Sequence, residues 1–425
     1  MKQYNEYKDS SVKWIGEIPK HWDAIRIKFI GKTLGGLTYS PDDVCSPEEG
    51  IIVLRSSNIK NNELSFYDNV YVKKELQDKD FIKQGDLLIC SRNGSADLVG
   101  KCAIIDKPIN ASFGAFMMVL RPSMTLNSKY VYYISQVCID KYKATFKTST
   151  INQLTNSLLG NIYSPYTYSE HEQKAIVSYL DEKVSKIDRY ISTAERKIAA
   201  LDELKQVTIA DAVTHGINSN AVMKDSGIPW IGMVPEHWEV EKIRTHFKER
   251  RVKVSDKDYS ALSVAKIGIV PQLDDACKTD NGDNRKLVLK GDFVVNSRSD
   301  RKGSCGVSQL DGSVSLINIV LEPFEIERRY IHYLFRSSDY VEEFYRNGRG
   351  IVADLWTTRY SEMRNIFVPI PPLPEQNKIV AYIDRKVAQI DKMKAAELAQ
   401  IEKLKEYKQR LISDVVTGKV KVTND

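Results

Sequence analysis

The chain has 425 residues and a mass of 48.4 kDa, enough for two domains that each bury a core. Its net charge of +6 comes from 62 Lys and Arg against 56 Asp and Glu; this excludes a polycation, and suits nucleic acid only if the basic excess gathers on one face. No run of 18 apolar residues exists, Met1 to Asp9 is polar, and the six cysteines and six histidines lack disulfide-framework or zinc spacing, so the reading is a cytoplasmic chain with reduced, structural cysteines.

In chain order, the first element is a tryptophan-flanked motif, Lys8-Asp9-Ser10 followed by Trp14-Ile15-Gly16-x-Ile18-Pro19-x-His21-Trp22. It returns 216 residues later as Lys224-Asp225-Ser226 and Trp230-Ile231-Gly232-x-Val234-Pro235-x-His237-Trp238. After each copy of this Trp-Ile-Gly motif comes a stretch of short apolar runs bounded by Gly, Asn, Asp and Ser, which predicts strands and turns: Ile51 to Leu54, Asp86 to Cys90, and Phe293 to Val295. Few anchors recur there. Gly85-Asp86 with Ser91-Arg92 matches Gly291-Asp292 with Ser297-Arg298, and Asn161-Ile162-Tyr163-x-Pro165 matches Asn365-Ile366-Phe367-x-Pro369. The halves are one duplication whose inserts have diverged.

Each half ends in a predicted helix of about 43 residues, about 65 Å long. Glu172-Gln173-x-x-Ile176-Val177-x-Tyr179-x-Asp181 returns as Glu375-Gln376-x-x-Ile379-Val380-x-Tyr382-x-Asp384. Ser169-x-x-Glu172 predicts a capping box, and Pro374 suits a first helical turn. Apolar residues then step by three and four along Ile176, Leu180, Val184, Ile187, Ile191, Ala194, Ile198, Leu201 and Leu204, the stripe of a coiled-coil seam. The second copy runs Ile379, Ile383, Val387, Ile390, Ile401, Leu404 and Leu411, interrupted by Lys394 and Glu397. One apolar stripe does not hold a long helix alone, so each helix is expected to pair antiparallel with its duplicate; the alternative is packing on its own globular head.

Catalytic signals are missing. Gly94-x5-Gly100-Lys101-Cys102 has one residue too many, and a cysteine where a phosphate loop needs Ser or Thr. Asn161-x-x-Ser164-Pro165-Tyr166 lacks the second proline of an amino-methyltransferase tetrad. No dinucleotide-type glycine loop, paired carboxylates or nucleophile–histidine arrangement stands out. His21 and His237, which recur with the tryptophans, are expected to hydrogen-bond in a corner between structural parts.

The two Trp-Ile-Gly motifs, together with the lead-ins Pro369-Ile370-Pro371-Pro372-Leu373-Pro374-Glu375-Gln376 and Tyr168-Ser169-Glu170-His171-Glu172-Gln173 into long helices, resemble the specificity (S) subunits of type I restriction–modification systems. The likeness covers the whole chain in the order head, helix, head, helix; Ser169 departs from the proline-rich lead-in. The resemblance implies an α+β fold with two mixed α/β target recognition domains, 1–168 and 216–371. Two long antiparallel coiled-coil helices, 169–215 and 372–425, join and separate them, in a pseudo-two-fold internal repeat. It further implies a non-catalytic reader of a split, asymmetric duplex site, with one target adenine on each strand and the helices fixing the unread gap. The implied partners are double-stranded DNA, two modification subunits and a restriction subunit. This chain is expected to bind no cofactor, with S-adenosylmethionine, ATP and magnesium on the partners.

Within that frame the turn after the Gly-Asp strand supplies the first candidate DNA contacts: Arg92, Asn93 and Lys101 in one head, Arg298, Arg301 and Lys302 in the other. Arginine forks onto guanine or phosphate, and asparagine pairs with adenine. Later polar loops supply the second set: Lys143, Lys147, Thr148 and Ser149, then Arg346, Asn347, Arg349 and Arg359. Half or more of such contacts normally go to phosphate and set position only. The competing readings are a self-contained methyltransferase or nuclease, and a coiled-coil scaffold without DNA.

Overall fold

The computed structural model describes residues 2–124, 126–146, 152–272, 282–350 and 356–423. The chain forms two compact units: Met1–Thr193 with Gln400–Asp425, and Ala194–Ala399. Both are built from the same parts, so the architecture is α+β with an internal repeat.

In the first unit the Trp-Ile-Gly motif folds as a hairpin, Tyr7–Asp9 against Glu17–Pro19, and buries Trp22 completely. An antiparallel sheet follows in the order Cys102–Ile104, Leu87–Cys90, Met117–Pro122, Gly31–Gly35. A second sheet contains the parallel pair Ala111–Phe113 and Ile51–Leu54. The helix Ser128–Tyr142 packs its apolar face on the first sheet through Val131, Ile134 and Cys138. The second unit repeats the hairpin (Met223–Asp225 with Met233–Pro235). It also repeats the four-stranded sheet, in the order Phe247–Glu249, Asn318–Pro323, Phe293–Asn296, Cys305–Val307. Its head helix is split into Arg328–Leu334 and Ser338–Arg346.

The recurring Gly-Asp pair has a structural role. Asp86 is buried and accepts from Lys83 N and from both Nε and a terminal nitrogen of Arg121 at 2.7–2.8 Å. Asp292 does the same with Leu289 N and Arg250 at 2.7–3.1 Å. Its arginine comes from a different strand neighbour, since Arg121 lies on the inner strand Met117–Pro122 and Arg250 follows the edge strand Phe247–Glu249. Gly85 and Gly291, at φ +90° and +95°, make the tight turn that delivers each aspartate, a conformation that other residues adopt only with strain.

The long helices span Glu170–Thr214 and Leu373–Val416. Ile176, Leu180 and Ile187 are buried in the core of the first unit beside Leu411, Ile412, Val415 and Val416; Ile379 and Ile383 are buried in the second beside Ala212 and Val213. Both expected packing modes therefore occur. Each helix begins against its own head, and the end of the other helix joins it there. Within the second unit Lys197 pairs with Glu397, Lys394 with Asp202, and Lys205 with Asp391 at 2.9 Å. One helix rises as the other falls, which is antiparallel. In the first unit Lys408 reaches Asp188 at 2.7 Å. Lys394 and Glu397 thus exchange apolar seam packing for cross-helix ion pairs. Such exposed pairs contribute about 0–1 kcal/mol each and act mainly on register. Among the seam residues, Ile187, Ala194, Leu201, Ile390 and Ile401 are buried, and Val184, Ile191, Ile198, Val387 and Leu404 half-buried. Leu204 corrects the predicted stripe: it is 49% exposed, because buried positions there recur every seven residues (187, 194, 201) and 204 lies outside that row.

The residues repeated at the helix starts are joints between parts. Tyr133 and Lys129 bind Asp181 at 2.7 and 2.5 Å; Tyr333 binds Asp384 at 2.6 Å, together with Arg329. Gln173 and Gln376 each donate to a lead-in carbonyl, of Thr167 and Pro371, at 2.8 Å. His21 and His237 meet Glu172 and Glu375 at 3.1 and 2.7 Å, the corner expected of them. The capping box is only half formed. Ser169 Oγ accepts from Glu172 N at 3.3 Å, but the Glu172 carboxylate turns inward to Tyr4, Trp22, Thr167 and His21. Ser169 N uses Thr167 Oγ1 instead.

Burial opposes ionisation of Glu172, yet the hydrogen bonds from Thr167, Tyr4, Trp22 and His21 outweigh it and hold its carboxyl below the usual range. A depressed folded pKa stabilises the fold above the unfolded value of about 4.3, and that stabilisation is lost as pH falls through the folded value. Thermal melts from pH 6 down to 3 should therefore fall more steeply for the wild type than for Glu172→Gln; parallel curves would contradict this account.

Candidate nucleic-acid interface

The strand pairs that follow the Gly-Asp strands bring the two predicted sets together within each unit. In the first, Arg92-Asn93 pairs antiparallel with Asn152-Gln153. Asn152 Nδ2 donates to Gly94 O at 3.2 Å and Lys143 Nζ to Asp97 O at 2.8 Å, so the loop 93–101 and the end of the head helix share one surface. Lys101 sits at the base of that loop, where its carbonyl accepts from Cys90 N. Asn93 Nδ2 reaches Ser56 Oγ at 3.4 Å, which adds the segment 55–58. Lys147, Thr148 and Ser149 lie outside the described residues.

In the second unit Arg298 and Arg349 both bridge Thr357, and Ser299 N donates to Trp356 O at 2.9 Å. Tyr345 Oη donates to Asn296 O and Arg301 O at 2.9 and 3.3 Å, seating the helix Ser338–Arg346 behind the turn. Arg346 and Asn347 close that helix, and Arg359 stands exposed where the chain returns. Ser91 O accepts from Leu154 N at 2.8 Å and Ser297 O from Thr358 N at 2.9 Å, so the two surfaces share one backbone plan.

Their electrostatics differ. Arg298 and Arg301 lie 3.1 and 3.9 Å from Asp300, Lys302 is 3.0 Å from Glu342, Arg346 3.0 Å from Glu343, and Arg349 3.7 Å from Glu362. Pairs this exposed are weak and can yield a cation to a phosphate at little cost. Among the described residues, Arg92, Lys101 and Lys143 have no carboxylate partner; the Arg92 guanidinium lies 5.7 Å from the Phe116 ring centroid. The cations of the first surface thus have no carboxylate partner, and those of the second are held in weak ion pairs.

Sequence reasoning missed Asn152 and Gln153, which reach the surface through strand pairing across about 60 residues, and Ser56, which reaches it through the Asn93 side chain. It also missed Phe116, for which periodicity carries no signal.

Among the described residues no group of three or more His, Cys, Asp or Glu could hold a metal, and no helix is long and apolar enough to cross a membrane. Cys45, Cys90, Cys102, Cys138 and Cys305 are free thiols, and burial pushes Cys102 and Cys305 up to about 12, so they are inert at neutral pH. Cys277 lies outside the described residues.

Residues 19–201 match the sequence profile described as the type I restriction modification DNA specificity domain. The chain is 22% identical over 429 residues to the type I restriction enzyme StySPI specificity subunit of Salmonella potsdam, covering 95% of this chain and 90% of that one. It is 21% identical to the EcoKI specificity subunit of Escherichia coli K12 over 434 residues, with the same coverage. A chain from a structural study of complex assembly and conformational transition of the type I R-M system superposes with a TM-score of 0.65 at 14% identity, covering 95% of this chain and 99% of that chain.

Proposed function

We propose that the chain is a specificity subunit of a type I restriction–modification system, a non-catalytic component that reads DNA, as the matching profile and the similar specificity subunits support. Each unit contributes one head, and each head reads one half of a split, asymmetric duplex site in the cytoplasm. The observation that carries this reading is a division of labour. Repeated residues occupy the joints and helix starts, whereas the two basic surfaces keep a common backbone and, apart from the repeated Ser-Arg pair at 91–92 and 297–298, differ in side chains. A copied support with largely uncopied reading surfaces is what two different half-sites require.

The paired helices act as the ruler that fixes the unread gap, supported by helices of 45 and 44 residues with cross-helix ion pairs. Two modification subunits dock largely on the helices and bring S-adenosylmethionine; restriction subunits bring ATP and magnesium. Arg92, Asn93, Lys101 and Lys143 in one head, and Arg298, Arg301, Lys302, Arg346, Asn347, Arg349 and Arg359 in the other, supply phosphate and base contacts. Fluorescence anisotropy of a duplex titrated with the complex of this chain and its modification subunits tests the claim. Affinity should fall about a thousandfold or more between 50 and 200 mM salt if six or more phosphates are neutralised. Replacing Arg92 and Lys101 with alanine should lower the log–log slope by about two. A salt-independent, unchanged affinity would favour a scaffold without DNA.

A further inference from the structure

One pair of matching turns is built from residues that turns do not favour. Before the strand Met117–Pro122 the chain reverses through Ala115-Phe116, closed by Met117 N donating to Gly114 O at 2.8 Å. Before Asn318–Pro323 it reverses through Leu316-Ile317, closed by Asn318 N donating to Ser315 O at 3.0 Å. Turn tips ordinarily carry Gly, Asn, Asp, Ser or Pro, which suit the backbone and the solvent. All four of these tip residues are apolar and exposed: Phe116 at 61%, Leu316 at 40% and Ile317 at 37% of their surface. A single exposed apolar residue needs no explanation. The same exposure at the same place in two diverged heads does.

Each tip also adjoins the candidate interface. Phe116 O accepts from Ser91 N and Arg92 N at 2.9 and 3.1 Å, and its ring faces the Arg92 guanidinium. Ile317 O accepts from Ser297 Oγ at 2.6 Å, one residue before Arg298. An arginine that can fork onto guanine therefore stands beside an apolar group in both heads. In the major groove the matching apolar feature is the thymine C5-methyl, which Phe and aliphatic side chains contact.

We propose that Phe116 in one head and Leu316-Ile317 in the other are specificity-determining residues that read a thymine methyl in each half of the DNA site. The inference rests on the reading of both heads as DNA readers. Charge adds to the argument, because the cations flanking each tip would draw a duplex onto this face and hold the apolar tip against base edges.

The test uses the complex of this chain with its modification subunits on a randomised duplex library, with the methylated motif read by sequencing. Phe116→Ser should flatten a thymine preference in one half of the motif by about fourfold, the factor equivalent to burying one methyl group, and leave the other half unchanged. The double substitution Leu316→Ser with Ile317→Ser should do the same in the other half only. Replacing that thymine with uracil should weaken methylation by the wild-type complex to the same extent and have no further effect on the matching variant. Exposed tips leave the fold intact, and the untouched half-motif of each variant verifies this internally. Variants that select the wild-type motif, or lose activity evenly with the motif intact, would overturn the inference while the proposed function stands. A wild-type complex that selects no motif would overturn both.

Discussion

Replacing Asp86 with alanine is expected to destabilise the first unit by about 3 kcal/mol, among the largest effects of any exchange outside the apolar core. The carboxylate is buried and fully used, by Lys83 N and by two nitrogens of Arg121, whose side chain is itself largely buried. Removing it leaves a guanidinium and a backbone N–H without partners in a region of low dielectric, and breaking such a pair costs about 3–5 kcal/mol. The lower end applies because Arg121 retains some contact with water. For a domain of this size the melting temperature should drop by about 6–12 °C. Replacing both partners with apolar residues of similar volume should recover most of the loss, since the pair itself adds little over good packing. Urea unfolding of the four variants in a double-mutant cycle measures this. A loss below about 1 kcal/mol for Asp86→Ala would show that the pair is solvated and that the Gly-Asp turn matters only for its backbone.

The second large effect concerns the helices. Deleting residues 194–200 together with 396–402 removes one heptad from each helix and keeps the buried rows in phase, since 187, 194 and 201 recur every seven residues. It removes Lys197 and Glu397 together, and it splits the exposed Lys405–Glu402 contact within a single helix, worth about 0–1 kcal/mol. Seven residues at 1.5 Å amount to about 10.5 Å, or about 3 base pairs at 3.4 Å each. If the helix pair sets the gap, the methylated motif should keep both halves and lose about 3 base pairs between them. Deleting the heptad from one helix alone should abolish methylation, because Lys205, Asp391, Lys394 and Asp202 would no longer face each other. An unchanged gap in an active double deletion would remove the ruler from the account.

How much of this was legible beforehand depends on where each interaction closes. The Trp-Ile-Gly motif, the Glu-Gln start and Asp181 with Asp384 were visible as repeats because each forms the same joint in both units, so the residues on both sides of it were copied. The aspartate–arginine pairs were half visible. Asp86 and Asp292 recur in register, but Arg121 and Arg250 reach them from different strands, a relation that only the sheet order reveals. The spacing Ser169-x-x-Glu172 predicts helix capping, but four donors from Tyr4, His21, Trp22 and Thr167 take the same carboxylate. Of the candidate residues, Arg92, Asn93 and Lys143 are linked to one loop surface in the first unit and Arg298 and Arg349 to one bridge in the second, since each group flanks a strand whose position the Gly-Asp turn sets. The tips at Phe116 and Ile317 could not be aligned at all, because the backbone repeats there and no side chain does.

The account stands or falls on whether two heads read two half-sites at a set distance. The direct measurement is a map of N6-methyladenine in DNA from cells expressing this chain with its modification subunit, compared with the modification subunit alone. The account predicts a new bipartite motif with a constant gap, two unlike halves and one methylated adenine on each strand. A continuous or palindromic motif, or a soluble complex that methylates nothing new, would contradict it.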